Sequence, residues 1–148
     1  MAFKEYDKNP TFLDMEIQKA VSHPRNKQSL SEIDTTINWE PIEKIVMENY
    51  PVGQSELGNK AYPPLMLLKA VLLQKWYGIK SDPELEIQIN DRFSFKSFIG
   101  LPFSEPSPDH SIICRFRERT GKETLEKVHH ELLNQFDTLG FSFASGMA

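Results

Sequence analysis

Residues 63–77 read PPLMLLKAVLLQKWY, and this stretch decides the fold class. Proline suits the first helical position, where its missing N–H has no intrahelical partner to lose. From Leu65 to Tyr77 only Lys69, Gln74 and Lys75 are polar. A helix that is apolar on nearly all sides must be covered on several faces, so the pattern predicts a helix at the centre of a bundle. Gly78 stands where a C-terminal cap is expected.

Downstream, Ser81-Asp82-Pro83-Glu84 has the S-x-x-E form of a capping box and opens a second helix. Leu85, Ile89 and Phe93 line one face of it, and Phe95, Phe98 and Ile99 carry apolar material on to Gly100. Residues 100–108, GLPFSEPSP, form a proline-rich turn. Ser107 as cap, Pro108 at the first position and Asp109 near the positive end predict a further helix, with Ile112, Ile113 and Phe116 inward. Thr120-Gly121-Lys122-Glu123 reads as another capping box. It starts a last helix with Leu125, Val128, Leu132, Phe136 and Leu139 at three- and four-residue steps, a stripe suited to the bundle or to a partner helix.

Upstream, Ile33, Ile37, Ile42, Ile45 and Val46 repeat at helical spacing, with Pro41 tolerable only in a first turn. Residues 49–62, punctuated by Pro51, Gly53 and Gly58, are a connector. Residues 1–33 show no sustained period beyond one short amphipathic turn at Phe12, Leu13 and Ile17, and read as a polar arm. No run of three or more strands is visible. The expected fold is all-α: a small bundle of about five helices over residues 34–140, with a loose arm before it. After Gly140, Phe141 and Phe143 alternate with small residues.

The chain has 148 residues, a length suited to one domain with a real core. Cys114 is the sole cysteine, so no intrachain disulfide can form. The longest apolar stretch, Leu65 to Leu68, falls far below the roughly 20 residues of a membrane span. The first ten residues mix Lys4, Lys8, Glu5 and Asp7 and lack the apolar core of a secretory signal. The expected setting is the cytoplasm. The net charge of −4 hides an asymmetry: residues 92–122 carry six basic and three acidic residues inside an otherwise acidic chain. A cationic window of this kind points to a localised anionic partner.

That window supplies the candidate contacts. Arg115, Arg117 and Arg119 with Lys122 flank the Ile112/Phe116 stripe, a geometry suited to reaching phosphates or base edges. Ser111, Arg92 and Lys96 complete the expected DNA-binding set. The competing reading is a solvated face paired with Glu118 and Glu123. Four phosphate contacts would give a slope near −3.6 of log affinity against log salt, at about −0.9 each. The helix 81–90 and the turn before 108 form a helix–turn–helix-like pair, although a turn of roughly nine residues exceeds the usual 3–4. Other chemistry finds little support. His129 and His130 are adjacent and point about 100° apart, so they cannot share a metal as i,i+4 histidines do; His23 and His110 have no visible partner. Cys114 reads as a small core residue. Asp82, Asp91 and Asp109 read as caps and element ends. No active site emerges from the residues.

The order and spacing of several fragments resemble the N-terminal domain of bacterial insertion-sequence transposases of the InsH-like (IS-five) group. The matching residues are Tyr62-Pro63-Pro64, Leu67 to Ile79, Ser81-Asp82 with Glu84-Leu85-Glu86, Asn90 to Phe95, Phe98 to Leu101, Ser107 to Ser111, and Arg115-Phe116-Arg117. Residues 37–42 also look like this group. The resemblance implies a DDE-type transposase, in which three carboxylates on an RNase H-like domain hold two divalent metals. The first of these lies on a strand after the helical domain, so the resemblance implies that residues 141–148 start the missing catalytic domain and that none of the three carboxylates is carried over to a residue here. Ile112 departs from the small polar residue more often found there. The resemblance therefore implies no cofactor in this chain, with Mg²⁺ reserved for the catalytic domain, and no nuclease activity of the chain alone. The implied partners are terminal inverted repeats, a second copy or a full-length transposase, in the bacterial nucleoid. A non-catalytic interaction fragment that dimerises or inhibits, and a decayed remnant, are the alternative readings.

Overall fold

The computed structural model describes residues 3–6, 12–21, 29–50 and 61–138. Among them eight helices follow in order: α1 (Phe12–Val21), α2 (Ser29–Thr36), α3 (Glu40–Asn49), α4 (Pro64–Trp76), α5 (Asp82–Asp91), α6 (Phe93–Ile99), α7 (His110–Thr120) and α8 (Lys122–Thr138). The described residues contain no strand, only a bridge in which the Lys4 N–H donates to the Ala61 carbonyl at 2.7 Å. The fold is all-α. No helix among these residues is long and apolar enough to cross a membrane. Most of the connector 49–62, the polar cluster Ser22–Gln28, and Leu139 with residues 141–148 lie outside the described residues.

Eight helices replace the expected five for physical reasons that can be named. Pro41 cannot sit inside a continuous helix, because it lacks an N–H and its ring would strike the carbonyl one turn back. The chain therefore stops at Thr36 and restarts at Glu40, with Pro41 in the first turn of α3. The second break is at Arg92, which is extended (φ −113°, ψ 113°) between α5 and α6. Leu85 and Ile89 share one face, but the step of six from Ile89 to Phe95 does not fit a 3.6-residue period. Breaking at Arg92 lets Leu85 and Ile89 on one side, and Phe95, Phe98 and Ile99 on the other, all be buried. Phe93, expected inward, is instead exposed, with its ring 5.3 Å from that of Phe103. The third addition is in the arm, where α1 forms a full helix against α6 and α2 begins at Ser29 with Leu30 buried.

α4 is the central element, packed by α3, α6 and α7. Met66, Leu67, Leu68, Ala70, Leu72 and Leu73 are all buried. The helix begins one residue later than expected, at Pro64, with Pro63 as its extended cap. Gly78, at φ +63°, ends it: the Gly78 N–H reaches the Lys75 carbonyl at 3.4 Å and the Ile79 N–H that of Gln74 at 3.0 Å. This pair of bonds is a Schellman motif, and its left-handed residue favours glycine. Lys69, polar in the middle of α4, is buried but not unpartnered. Its ammonium lies 2.7 Å from Asp34 and 4.5 Å from the centre of the Trp39 ring, so a buried charge is both paired and stacked.

α8 lies along α3, with Thr124, Val128, Leu132 and Phe136 buried. Gln135 fixes its register: its side chain accepts from the Asn38 N–H at 2.8 Å and donates to the Asn38 carbonyl at 2.9 Å. The capping box expected at Thr120 does not form. Thr120 is the last residue of α7, buried, and its hydroxyl has no partner. Gly121 (φ +83°) makes the turn, and its carbonyl accepts the Leu125 N–H at 3.2 Å.

Candidate nucleic-acid interface

The cationic helix α7 is anchored at both ends by α5. At its start, the expected cap Ser107 is instead buried, its N–H on the Asn90 side chain at 2.9 Å and its hydroxyl on the Pro108 carbonyl at 2.9 Å. Pro108 is itself buried in the core, so the helix cannot begin there. Asp109 takes the capping role two residues on, accepting from the Ser111 N–H at 2.9 Å and also from the Ser111 hydroxyl. These bonds hold the Asp109 carboxyl below its ordinary range. His110 has a partner after all: its backbone N–H donates to Glu86 at 2.7 Å, and its ring Nδ1 lies 3.2 Å from the same oxygen.

At the far end, Arg117 forms a two-toothed pair with Asp82, at 3.1 and 2.9 Å, and also donates to the side-chain oxygen of Gln74. Gln74 in turn donates to Asp82 at 3.1 Å. One arginine thus ties α4, α5 and α7 together. The match of planar fork to carboxylate fixes the angle between helices as well as contributing energy. Asp82 also starts α5, where Ser81 caps it by accepting the Glu84 N–H at 3.2 Å. The Arg117 hydrogen bonds hold the Asp82 carboxyl below its usual range, against a smaller opposing effect of burial.

That shift sets a pH dependence. Asp82 is depressed in the folded state, so its stabilisation is present above the unfolded carboxylate value of about 3.9 and is lost as pH falls through the folded value. Asp82→Asn is expected to cost about 1 kcal/mol at neutral pH, reduced by partial exposure of the pair. Urea melts of wild type and variant from pH 7 to pH 3 check this. The two curves should converge towards the acid end; a constant gap would mean that the charge of Asp82 is irrelevant.

The expected DNA contacts divide sharply. Ser111, Arg115 and Arg119 lie exposed along one side of α7, opposite buried Ile113, Phe116 and Thr120. Lys122, one residue past the turn, has 91% of its side chain exposed and lies 4.0 Å from Glu126. Arg117 belongs to the interior clamp. Lys96 is buried (6% exposed) with its ammonium on the carbonyls of Phe103 and Glu105 at 3.0 and 2.7 Å, where it holds the 101–109 loop. Burial pushes its pKa down, against Glu105. Arg92 is exposed but lies over the Phe95 and Tyr77 rings at 4.8 and 5.7 Å, away from the α7 set. The structure thus gathers Ser111, Arg115, Arg119 and Lys122 into one region, and removes Lys96 and Arg117 from it.

Two residues of this region escaped the sequence reading. Tyr50 at the end of α3 is buried with its ring 5.0 Å from Phe116. Burial raises its pKa, while a hydrogen bond and charge from Arg119, and the charge of Arg115, pull it back. Nothing local in the sequence marks it. Glu86 carried a usable signal: Asp82 and Glu86 stand four apart, on one face of a helix, opposite an arginine-rich helix.

Other chemistry finds structural explanations. Glu86, Asp109 and His110 bring ligand atoms within 4.8 Å of one another, but the hydrogen bonds above account for the grouping. The Cys114 thiol, 3.7 Å from Glu118, is pushed up by desolvation and then by Glu118 and Asp82, the reverse of nucleophile activation. His129 is half-buried, and desolvation, then Lys75 and His130, lower its pKa.

Among the described residues, the arginine-rich helix α7 is thus clamped to α4 and α5 and open on one side. Residues 16–119 match the family described as Transposase domain (DUF772). The chain belongs to this transposase family. The match runs from within α1 to Arg119 and so includes the α5–α7 pair. No curated protein and no solved structure matches the chain.

Proposed function

We propose that this chain is the DNA-binding N-terminal part of a DDE-type insertion-sequence transposase of the InsH-like group, and that it recognises the terminal inverted repeats of its element in the bacterial cytoplasm. The observation that carries this reading is the open side of α7, where Arg115 and Arg119 stand exposed beside Lys122 while Arg117 holds the helix on α5. A rigid helix with exposed cations on one side positions itself on phosphates and reads base edges. The α5–α7 pair acts as the helix–turn–helix equivalent. Its connection is residues 92–109 including α6, longer than the nine-residue turn expected, so the pair is held by side chains instead of a tight turn. Mg²⁺ belongs to the catalytic domain that the resemblance implies.

Mobility-shift titration on the terminal repeats and on scrambled duplex, for wild type and for Arg115→Ala, Arg119→Ala and Lys122→Ala, tests the proposal. Wild type is expected to prefer the repeats and each variant to bind more weakly. If every variant binds as wild type does, the open side of α7 is a solvated face.

Pairing with a second transposase chain is the other reading. Of its expected surface, the stripe of α8, Val128, Leu132 and Phe136 are buried within the bundle and Leu125 is partly buried. α1 favours it instead, because Phe12, at 79% exposure, stands beside exposed Leu13 and Met15. Sedimentation of wild type and of Leu13→Glu decides this reading: a dimer that Leu13→Glu dissociates supports it, and a wild-type monomer ends it.

A further inference from the structure

We infer that Arg115 is the side chain of α7 that reads sequence, and that it reads the major-groove edge of a guanine. The inference rests on the DNA-binding proposal and adds to it a base and a reader. Arg115 is exposed on the open side of α7, in the sixth of its eleven positions, at the middle of the helix. Its Nε donates to the Ser111 carbonyl one turn back at 3.3 Å. That tether orients the guanidinium and leaves its two terminal amino groups free of hydrogen-bond and ion-pair partners among the described residues. Of the carboxylates nearest along the helix, Glu118 lies towards Cys114, and Asp109 is hydrogen-bonded to Ser111 and feels Arg115 only through its charge, the least of the influences on it.

Two parallel N–H groups on a pre-oriented plane match the O6 and N7 acceptors of guanine, a pattern no other base presents. The other cations do not offer this. Arg117 has both terminal nitrogens on Asp82 and Gln74, Arg119 hydrogen-bonds the Tyr50 hydroxyl, on which Arg115 acts through charge alone, and Arg92 lies over aromatic rings. Lys122 is an exposed point charge at the start of α8, suited to a phosphate.

The test begins by selecting duplexes from a randomised pool with the full wild-type chain. Each base pair of the selected site is then replaced in turn, and binding is measured for wild type, Arg115→Lys, Arg115→Ala and Arg119→Ala. One guanine is expected to matter to wild type by roughly 5- to 150-fold. Replacing that guanine by 7-deazaguanine, which lacks the N7 acceptor, should reproduce much of the same loss. Arg115→Lys keeps the charge but offers O6 and N7 a single ammonium in place of the fork, so it is expected to weaken the guanine preference, and Arg115→Ala to accept all four bases there. Arg119→Ala should bind more weakly yet keep the preference. The inference is overturned if Arg115→Ala retains the guanine preference, if 7-deazaguanine binds as guanine does, or if wild type binds duplex with no base preference. Failure of wild type to bind any duplex would instead remove the DNA-binding proposal, and this inference with it.

Discussion

Leu68→Ala and Leu72→Ala are each expected to destabilise the protein by about 2–5 kcal/mol. Leu68 is completely buried and belongs towards the upper end; Leu72, at 6% exposure, belongs lower. Both sit on α4, which α3, α6 and α7 pack around, so the space left by a lost side chain is walled by several helices and cannot easily collapse. The penalty therefore includes a cavity as well as lost transfer energy. Domains of this size hold about 5–15 kcal/mol in total, so one substitution removes a large share. Denaturant melts followed by far-UV circular dichroism measure it. A loss below about 1 kcal/mol at both positions would show that α4 is not the centre of the fold.

Binding to duplex DNA is expected to weaken roughly 10- to 40-fold between 50 and 200 mM salt. Arg119 and Lys122 on phosphates give a slope of about −1.8 in log affinity against log salt, and about −2.7 follows if Arg115 also neutralises a phosphate. Either value is shallower than the −3.6 expected from four free cations, because Arg117 already has its counter-charge in Asp82. Arg119→Ala and Lys122→Ala should each flatten the slope by about 0.9. Neutralising both clamp partners, Asp82→Asn with Arg117→Gln, should leave the slope unchanged while lowering stability. Filter binding across a salt series reads all of these. A slope near zero, or one that neither Arg119→Ala nor Lys122→Ala alters, would remove α7 as the contact surface.

The all-α class, the burial of α4 and the Gly78 cap were legible in the chain because they depend on local patterns. A helix of thirteen residues with hardly a polar side chain leaves few other solutions. The cationic window was equally plain from composition. Its division into free and engaged arginines was not. Arg115 and Arg117 are two residues apart and chemically identical, yet one ends on solvent and the other on Asp82, thirty-five residues away. Lys96 likewise counts as a cation in any charge tally, but its ammonium lies on two loop carbonyls. The starts of α7 and α8 moved for a similar reason. Ser107 and Thr120 are good capping types, but packing buried both, and Asp109 and Gly121 took their places. Periodicity and capping act between residues within a turn or two of each other, so the chain itself specifies them. Which charge is buried or paired depends on which distant carboxylate or carbonyl the packed helices bring alongside, and only the tertiary structure decides that.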